Sequence, residues 1–267
     1  MPELPEVQTV VTGLQQIVGK TILSWRELRS GTVLQHLPSN TSAQHLGIIK
    51  TVTRRGKYIL ITTSTQITVV IHLRMTGRLL MKNKNAPLAK HTQALIQFQD
   101  NTCLHFVDPR TFGKIEIYPH DQQPHALQVM GPEPLESAFN PAYLLALTRR
   151  RTAPIKNLIL NQSVVAGLGN IYVCEALYRA RIRPQRTAAS LTLPEAKRLY
   201  QAIVDLLAAA IAHQGTTFSD YRTIRDQSGN FQQFLRVYHK NTCPEGHIIK
   251  IIRQAGRSSF YCPTCQK

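Results

Sequence analysis

Ala166-Gly167-Leu168-Gly169-Asn170 decides how the second half of this chain is read. Two glycines separated by one residue supply the left-handed backbone that a tight double turn needs, and asparagine tolerates it too. Apolar residues at helical spacing flank the turn, so residues 154–160 and 171–180 are expected to be short helices. Further out, residues 141–148 read as another. Thr192-Leu193-Pro194-Glu195 is a capping box with an early proline and opens a longer helix. Its stripe of Leu199, Ile203, Leu206, Leu207, Ala210 and Ile211 ends near Gly215. Residues 216–234 are polar and aperiodic, which predicts a mobile loop.

Upstream the texture differs. Residues 120–134 are polar and rich in proline, and read as a linker. Before them lie short β-branched runs at 48–53, 58–63, 67–73, 94–98, 103–107 and 114–118, parted by Gly, Pro, Asn or charge. Such spacing predicts a β-sandwich. At the start, residues 5–18 form an amphipathic helix with Val7, Val10, Val11, Leu14, Ile17 and Val18 on one face, stopped by Gly19. The expected architecture is α+β and multidomain: a helix and sandwich over 1–119, a linker over 120–134, a helical domain over 135–230, and a hairpin over 231–267.

Thirty-two Lys and Arg against fifteen Asp and Glu give a formal charge of +17 over 267 residues. That excess points to a polyanionic partner, nucleic acid before an anionic membrane. A basic protein kept soluble by its charge is the plainer alternative. No apolar run reaches the length of a membrane span. The opening Met1-Pro2-Glu3-Leu4-Pro5-Glu6 lacks the basic and apolar blocks of a signal peptide. The expectation is a cytoplasmic protein with reduced thiols and no membrane partner.

Three of the five cysteines crowd the tail, as Cys243-Pro244-Glu245-Gly246-His247 and Cys262-Pro263-Thr264-Cys265. C-x3-H followed by C-x2-C suits one tetrahedral structural zinc held by Cys243, His247, Cys262 and Cys265. In the alternative, His247 is a surface residue and only the cysteines ligate. So small a hairpin cannot fold on apolar burial alone, and metal binding would supply its folding energy. Cys103 and Cys174 lie in apolar segments and read as small buried hydrophobes.

Pro2 is the least ordinary candidate for chemistry. If Met1 is removed, Pro2 presents a secondary amine with an ordinary α-amino pKa of about 7.7–8.0, against about 10.4 for lysine. More of it is then unprotonated and able to attack a sugar C1′. Glu3 or Glu6 could protonate the sugar ring oxygen, although both also simply favour a helix N-terminus. Lys57, in the basic turn Arg54-Arg55-Gly56-Lys57, could hold a phosphate or base, or be a solvated charge. His72-Leu73-Arg74-Met75-Thr76-Gly77 and Asp108-Pro109-Arg110-Thr111-Phe112-Gly113 each place bulky side chains on a turn after a strand. Those could wedge between base pairs or pack at strand ends.

Together these blocks resemble the formamidopyrimidine-DNA glycosylase family. The resemblance runs from Pro2-Glu3-Leu4-Pro5-Glu6-Val7 through Gly56-Lys57-Tyr58 and residues 72–77 and 108–113. It continues through Gly131-Pro132-Glu133-Pro134-Leu135 and Gly167-Leu168-Gly169-Asn170-Ile171-Tyr172 to Arg257-Ser258-Ser259-Phe260-Tyr261-Cys262. It implies a helix-two-turns-helix domain, a zinc-finger hairpin and a monomer acting on damaged double-stranded DNA at the nucleoid. The implied activity is excision of oxidised purines through a Pro2 Schiff base, then strand cleavage by β,δ-elimination.

By resemblance, Pro2 is the nucleophile, Glu3 the general acid, Glu6 a supporting residue, and Lys57 a catalytic contact to the lesion strand. Met75, Arg110 and Phe112 fill the gap left by a flipped nucleotide, with Arg110 facing the orphan cytosine. His72, His91, Lys156, Asn170 and Arg257 are DNA contacts. The segment near 216–230 is the lesion-capping loop. One departure stands out: the family has C-x2-C at the first zinc pair, whereas Gly246 and His247 stand here. That departure leaves the register of the hairpin, and so the direction of Arg257, as an open question for the structure. Two other functions compete. A non-catalytic zinc-finger DNA binder would leave Pro2, Glu3 and Lys57 unused, and an endonuclease VIII type would prefer oxidised pyrimidines.

Overall fold

A computed structural model describes residues 1–37, 46–218 and 221–267. The chain forms two compact units, Met1–Gln128 with Gln214–Asn230, and Val129–His213 with Phe231–Lys267. Residues 219–220 of the expected capping loop lie outside the described residues.

The first unit opens with α1 (Leu4–Leu14). Glu3 is its extended N-cap, a proline sits in its first turn, and Glu6 closes a capping box. A 3₁₀ turn over Gln15–Ile17 ends the helix, four residues short of the expected Val18 boundary at its α-helical limit. Val7, Val10, Val11, Leu14 and Ile17 are buried in the core, each burial contributing about 1.5–3 kcal/mol.

Among the described residues nine strands follow: β1 (Thr21–Glu27), β2 (Val33–Gln35), β3 (Gly47–Arg55), β4 (Tyr58–Thr63), β5 (Ile67–His72), β6 (Arg78–Asn83), β7 (Thr92–Phe98), β8 (Thr102–Val107) and β9 (Lys114–Pro119). Their order is β2-β9-β5-β4-β3-β1-β7-β8-β6. Every pair is antiparallel except β2 with β9. β1 meets β3 only at Thr21↔Ile48 and Ile22↔Gly47, so it joins two half-sheets. Ile59, Ile61, Val69 and Ile71 of one half share a core with Ile96, Phe98, Leu104 and Phe106 of the other. The sandwich is therefore present. β1, β2 and β6 were not expected from the sequence. β1 and β6 carry Arg, Glu, Lys and Asn and bury only a minority of positions on a regular face, and β2 is three residues long.

Of the segment expected to be mobile, residues 216–218 and 221–230 belong to this unit and residues 231–234 to the second. Tyr221 and Ile224 belong to the core of the first unit, and Met81 N–H donates to the Ile224 carbonyl at 3.3 Å. α2 (His125–Gln128) lies in the expected linker.

The second unit contains α3 (Pro141–Thr148), α4 (Ile155–Leu160), α5 (Asn170–Arg179) and α6 (Leu193–Ala212). Asn140 caps α3, its Oδ1 accepting from Tyr143 N–H at 2.9 Å. Between α4 and α5, Gly167 has φ 77° and Gly169 is the N-cap of α5, which is the double turn expected there. The Gln162 side chain knits it, donating to Leu168 O at 2.8 Å and accepting from Gly167 N–H at 2.9 Å. β10 (Lys250–Gln254) and β11 (Arg257–Tyr261) make the hairpin, turning through Ala255 and Gly256 at positive φ. The expected helix, sandwich, helices and hairpin are all present, but residues 214–230, expected within the helical domain, belong to the first unit.

Candidate active site

Pro2, Glu3 and Glu6 are buried together at the start of α1. The two oxygens of Glu6 have different jobs. Oε2 accepts from Glu3 N–H at 2.7 Å, and Oε1 from Thr216 N–H at 2.7 Å. Tyr221 Oη donates to the Glu6 carbonyl at 3.3 Å. Burial, and then the Glu6 charge, raise the Tyr221 phenol well above its ordinary pKa, so it stays a neutral donor. Gly215 has φ +79°, and a Cβ there would come within 2.8 Å of the Glu6 carboxylate, so glycine is required. Glu6 thus fastens the turn that carries Pro2 and Glu3 to the base of the 214–230 segment.

Lys57 is buried in the two-residue turn between β3 and β4. Only Gly56, at φ 54°, needs the left-handed region. Arg54 braces this turn, donating to Gly56 O at 2.9 Å and to Gln8 Oε1 of α1 at 3.0 Å. His72, at the end of β5, lies across from Tyr58, their rings edge to face at 4.5 Å. Burial, with the charges of Arg74 and Lys57, lowers its pKa to about 3. Its Nδ1 accepts from Arg74 N–H at 2.9 Å. His72 is therefore neutral with the proton on Nε2, a donor rather than a cation for any phosphate.

Met75, Arg110 and Phe112 stand on two loops, and Met75 and Phe112 are 40% and 53% exposed. The Arg110 guanidinium lies 5.1 Å from the Phe112 ring centroid. A fully buried Asp108 holds the loops. It accepts from Thr76 Oγ1, from Arg110 N–H at 3.2 Å and from Gly113 N–H at 2.7 Å. His91 has φ 66° and its carbonyl accepts from Asp108 N–H at 3.0 Å. Large apolar groups left in water on pinned turns suit insertion into a base stack.

In the second unit the expected phosphate residues converge on β11. Lys156 Nζ, in a fully buried side chain, donates to Ser259 Oγ at 2.6 Å. Asn170 Nδ2 donates to Ser258 O at 2.9 Å. Arg257 is exposed at the turn end of the hairpin, paired in register with Gln254. That answers the register question raised by the Gly246-His247 departure.

The ligand atoms of Cys243, His247, Cys262 and Cys265 lie within 4.8 Å of one another. Cys243 Sγ is 3.7 Å from His247 Nδ1 and 3.9 Å from Cys265 Sγ, and His247 Nδ1 is 3.3 Å from Cys265 Sγ. A tetrahedron with Zn–S of about 2.3 Å and Zn–N of about 2.1 Å has edges of roughly 3.6–3.8 Å. The residues fit one zinc, and His247 fits as its fourth ligand through Nδ1. Gly246, at φ +80°, makes the turn that delivers the imidazole. Glu245 ties this knuckle to α5, accepting from Tyr178 Oη and pairing with Arg181 at 2.6 Å.

Comparison with known proteins agrees with this geometry. Residues 1–115 match the formamidopyrimidine-DNA glycosylase N-terminal domain, 130–222 its H2TH domain, and 246–267 the zinc finger found in FPG and IleRS. A formamidopyrimidine-DNA glycosylase from Desulforamulus reducens is 42% identical over 100% of this chain and 99% of its own. The chain belongs to the formamidopyrimidine-DNA glycosylase family. A Lactococcus lactis FPG mutant solved with Fapy-dG-containing DNA superposes with TM-score 0.92 at 34% identity, covering 100% of both chains. MutM bound to DNA containing carbocyclic 8-oxo-G gives TM-score 0.91 at 34% identity, again over 100% of both chains.

This glycosylase family is one of DNA repair, and its zinc finger is present here with a cluster of three cysteines and one histidine able to hold one zinc. Among the described residues no helix is long and apolar enough to cross a membrane. Sequence reading passed over several residues that build the site. Thr216 and Tyr221 sit in a stretch without periodicity. Asp108 stands before a proline at a strand end, the signature of a side chain that captures turn amides. Ser258 and Ser259 carry no signal apart from their place beside Arg257.

Proposed function

We propose that this protein is a bifunctional DNA glycosylase and abasic-site lyase that removes oxidised purines from duplex DNA. The observation that carries the reading is the burial of Pro2, Glu3 and Glu6 as one unit, with Glu6 holding both Glu3 N–H and Thr216 N–H. A helix start needs a capping box but does not need the same carboxylate fastened to a segment more than 200 residues away in sequence. Met1 is exposed, and with it attached the Pro2 nitrogen is an amide without a nucleophilic lone pair. Removal of Met1 exposes the secondary amine.

The chemistry then follows. The Pro2 nitrogen lone pair bonds to C1′ as the bond from C1′ to the base breaks and its electrons leave with the base, which takes up the proton that the Pro2 nitrogen releases. The carboxylic acid of Glu3 gives its proton to the ring oxygen O4′, which opens the sugar and leaves an iminium between Pro2 and C1′. The iminium acidifies C2′. Loss of that proton expels the 3′ phosphate, and a second loss from C4′ expels the 5′ phosphate. Lys57 contacts the lesion strand. Flipping exposes C1′, and Met75, Arg110 and Phe112 fill the gap, with Arg110 facing the orphan base. Lys156, Asn170, Arg257, His91 and the neutral His72 hold backbone atoms. The protein acts as a monomer in the cytoplasm, on the nucleoid.

A labelled duplex with one 8-oxoguanine, beside one with thymine glycol, tests this reading. The expected products are strands ending in phosphate on both sides of the gap, formed faster from 8-oxoguanine. Preference for thymine glycol would assign the pyrimidine-specific function instead, and binding without any cleavage would leave a DNA-binding finger protein.

A further inference from the structure

The two loops that present Met75, Arg110 and Phe112 have no strand or helix of their own, yet one carboxylate reaches both. Asp108 Oδ1 accepts from Thr76 Oγ1, beside Met75, and from the N–H of Arg110 itself at 3.2 Å. Its Oδ2 accepts from Gly113 N–H, beside Phe112, at 2.7 Å. Each bond therefore ends within one residue of a member of the trio. Around this knot, Gln93 Nε2 donates to Asp108 O at 3.0 Å and to His91 O at 3.1 Å. Space is closed too: a Cβ on Gly113 would come within 2.5 Å of Phe106 Cζ, and one on Gly77 would collide with the Leu73 carbonyl.

We infer that Asp108 is a positioning residue that sets the geometry of the gap-filling trio, making Met75, Arg110 and Phe112 one preformed wedge. This rests on the reading above, in which the trio occupies the gap left by the flipped nucleotide. The tips of Met75 and Phe112 are exposed, so packing cannot hold them and apolar side chains in water tend to fold back. Rigid bases to the loops oppose that. A carboxylate is the group required, because it accepts from all three donors, whereas an amide of the same shape offers one oxygen and turns an N–H toward another donor. A preformed wedge also fixes how Arg110 meets the orphan base, so the same residue governs discrimination of the opposite base.

Asp108→Asn separates this role from general stability. Excision from an 8-oxoguanine duplex should fall by about tenfold or more, as expected for losing a buried charge-assisted bond, and the preference for cytosine over adenine opposite should shrink. Borohydride trapping on a single-stranded abasic oligonucleotide leaves no gap to fill and should stay within about twofold of wild type. A parallel loss on both substrates, or a loss on neither, overturns the inference. If Asp108→Asn does not fold, Thr76→Val removes one of the donors and Thr76→Ser restores it. The ratio of duplex to single-strand activity should drop in the first and recover in the second, and an unchanged ratio in Thr76→Val overturns the inference equally. Wild-type protein that forms no adduct contradicts the Schiff-base reading instead. In that case the ratio is read as binding to duplex and single strands carrying a tetrahydrofuran abasic analogue, with the same two outcomes.

Discussion

Replacing Glu6 with glutamine tests how the nucleophile is held. Both Glu6 oxygens accept backbone N–H groups at 2.7 Å, one from Glu3 and one from Thr216, and the side chain is 1% exposed. Glutamine keeps one acceptor. Its amide must therefore point a donor at one of those N–H groups. The lost bond to a charged acceptor is worth about 1.5–3 kcal/mol, and an unsatisfied buried amide adds about 1–3 kcal/mol. Burying a neutral amide instead of a carboxylate returns part of this, which leaves a net cost of about 2–4 kcal/mol. At about 2–4 °C per kcal/mol the midpoint should fall by roughly 4–16 °C. Excision should fall further than stability explains, since a displacement of about 1 Å at a reacting atom can cost about a hundredfold. Circular dichroism melts with single-turnover cleavage of an 8-oxoguanine duplex read both effects. A Glu6→Gln protein that melts and cleaves like wild type would refute the view that this carboxylate fastens the catalytic turn.

Other expectations follow from the same structure. His72 has a folded pKa of about 3 against an ordinary value of about 6.5. The unfolded chain takes up the proton first, so stability should fall as pH drops from 6.5 toward 3, by at most about 1.4 kcal/mol per pH unit. His72→Asn keeps an acceptor for Arg74 N–H and should flatten that slope in urea titrations at pH 7 and 5; parallel slopes would contradict a buried neutral imidazole. Metal analysis should return about one zinc per chain, reduced in His247→Ala; full zinc retention in that variant would remove His247 from the ligand set. Glu195 is held at a pKa of about 2, first by Arg186, which bonds it at 2.6 and 3.0 Å. Its contribution is present above its unfolded value and is lost as pH falls toward 2, so Glu195→Gln should cost stability at pH 7 and much less at pH 2. DNA affinity should weaken steeply with salt through phosphate contacts, and a flat response would deny the roles of Lys156 and Arg257.

Much of this was legible in the sequence because the deciding residues carry local signals. Gly167 and Gly169 mark a turn wherever they occur, the capping box at Thr192 names a helix start, and cysteine spacing names a metal. The strands with clean alternation, such as β4, were legible for the same reason. β1 and β6 were not, because their burial does not alternate, with Leu23 exposed and both Leu79 and Leu80 buried, and only neighbouring strands make them extended. The site divides in the same way. Pro2, Glu3 and Lys57 stand in dense motifs. The residues that brace their turns, Thr216, Tyr221 and Arg54, are ordinary residues whose value comes from contacts to other segments, to Glu6 and to Gln8. His72 reads as a DNA contact, and only burial beside Arg74 and Lys57 shows that it is neutral.

The most direct measurement is the site of covalent capture. Protein incubated with an 8-oxoguanine duplex and borohydride, then digested with protease and nuclease, yields a peptide bearing the reduced sugar, which mass spectrometry locates. The account predicts a peptide that begins at Pro2 and carries the sugar on its nitrogen. An adduct on Lys57 or another lysine, or full activity in protein that retains Met1, would contradict it.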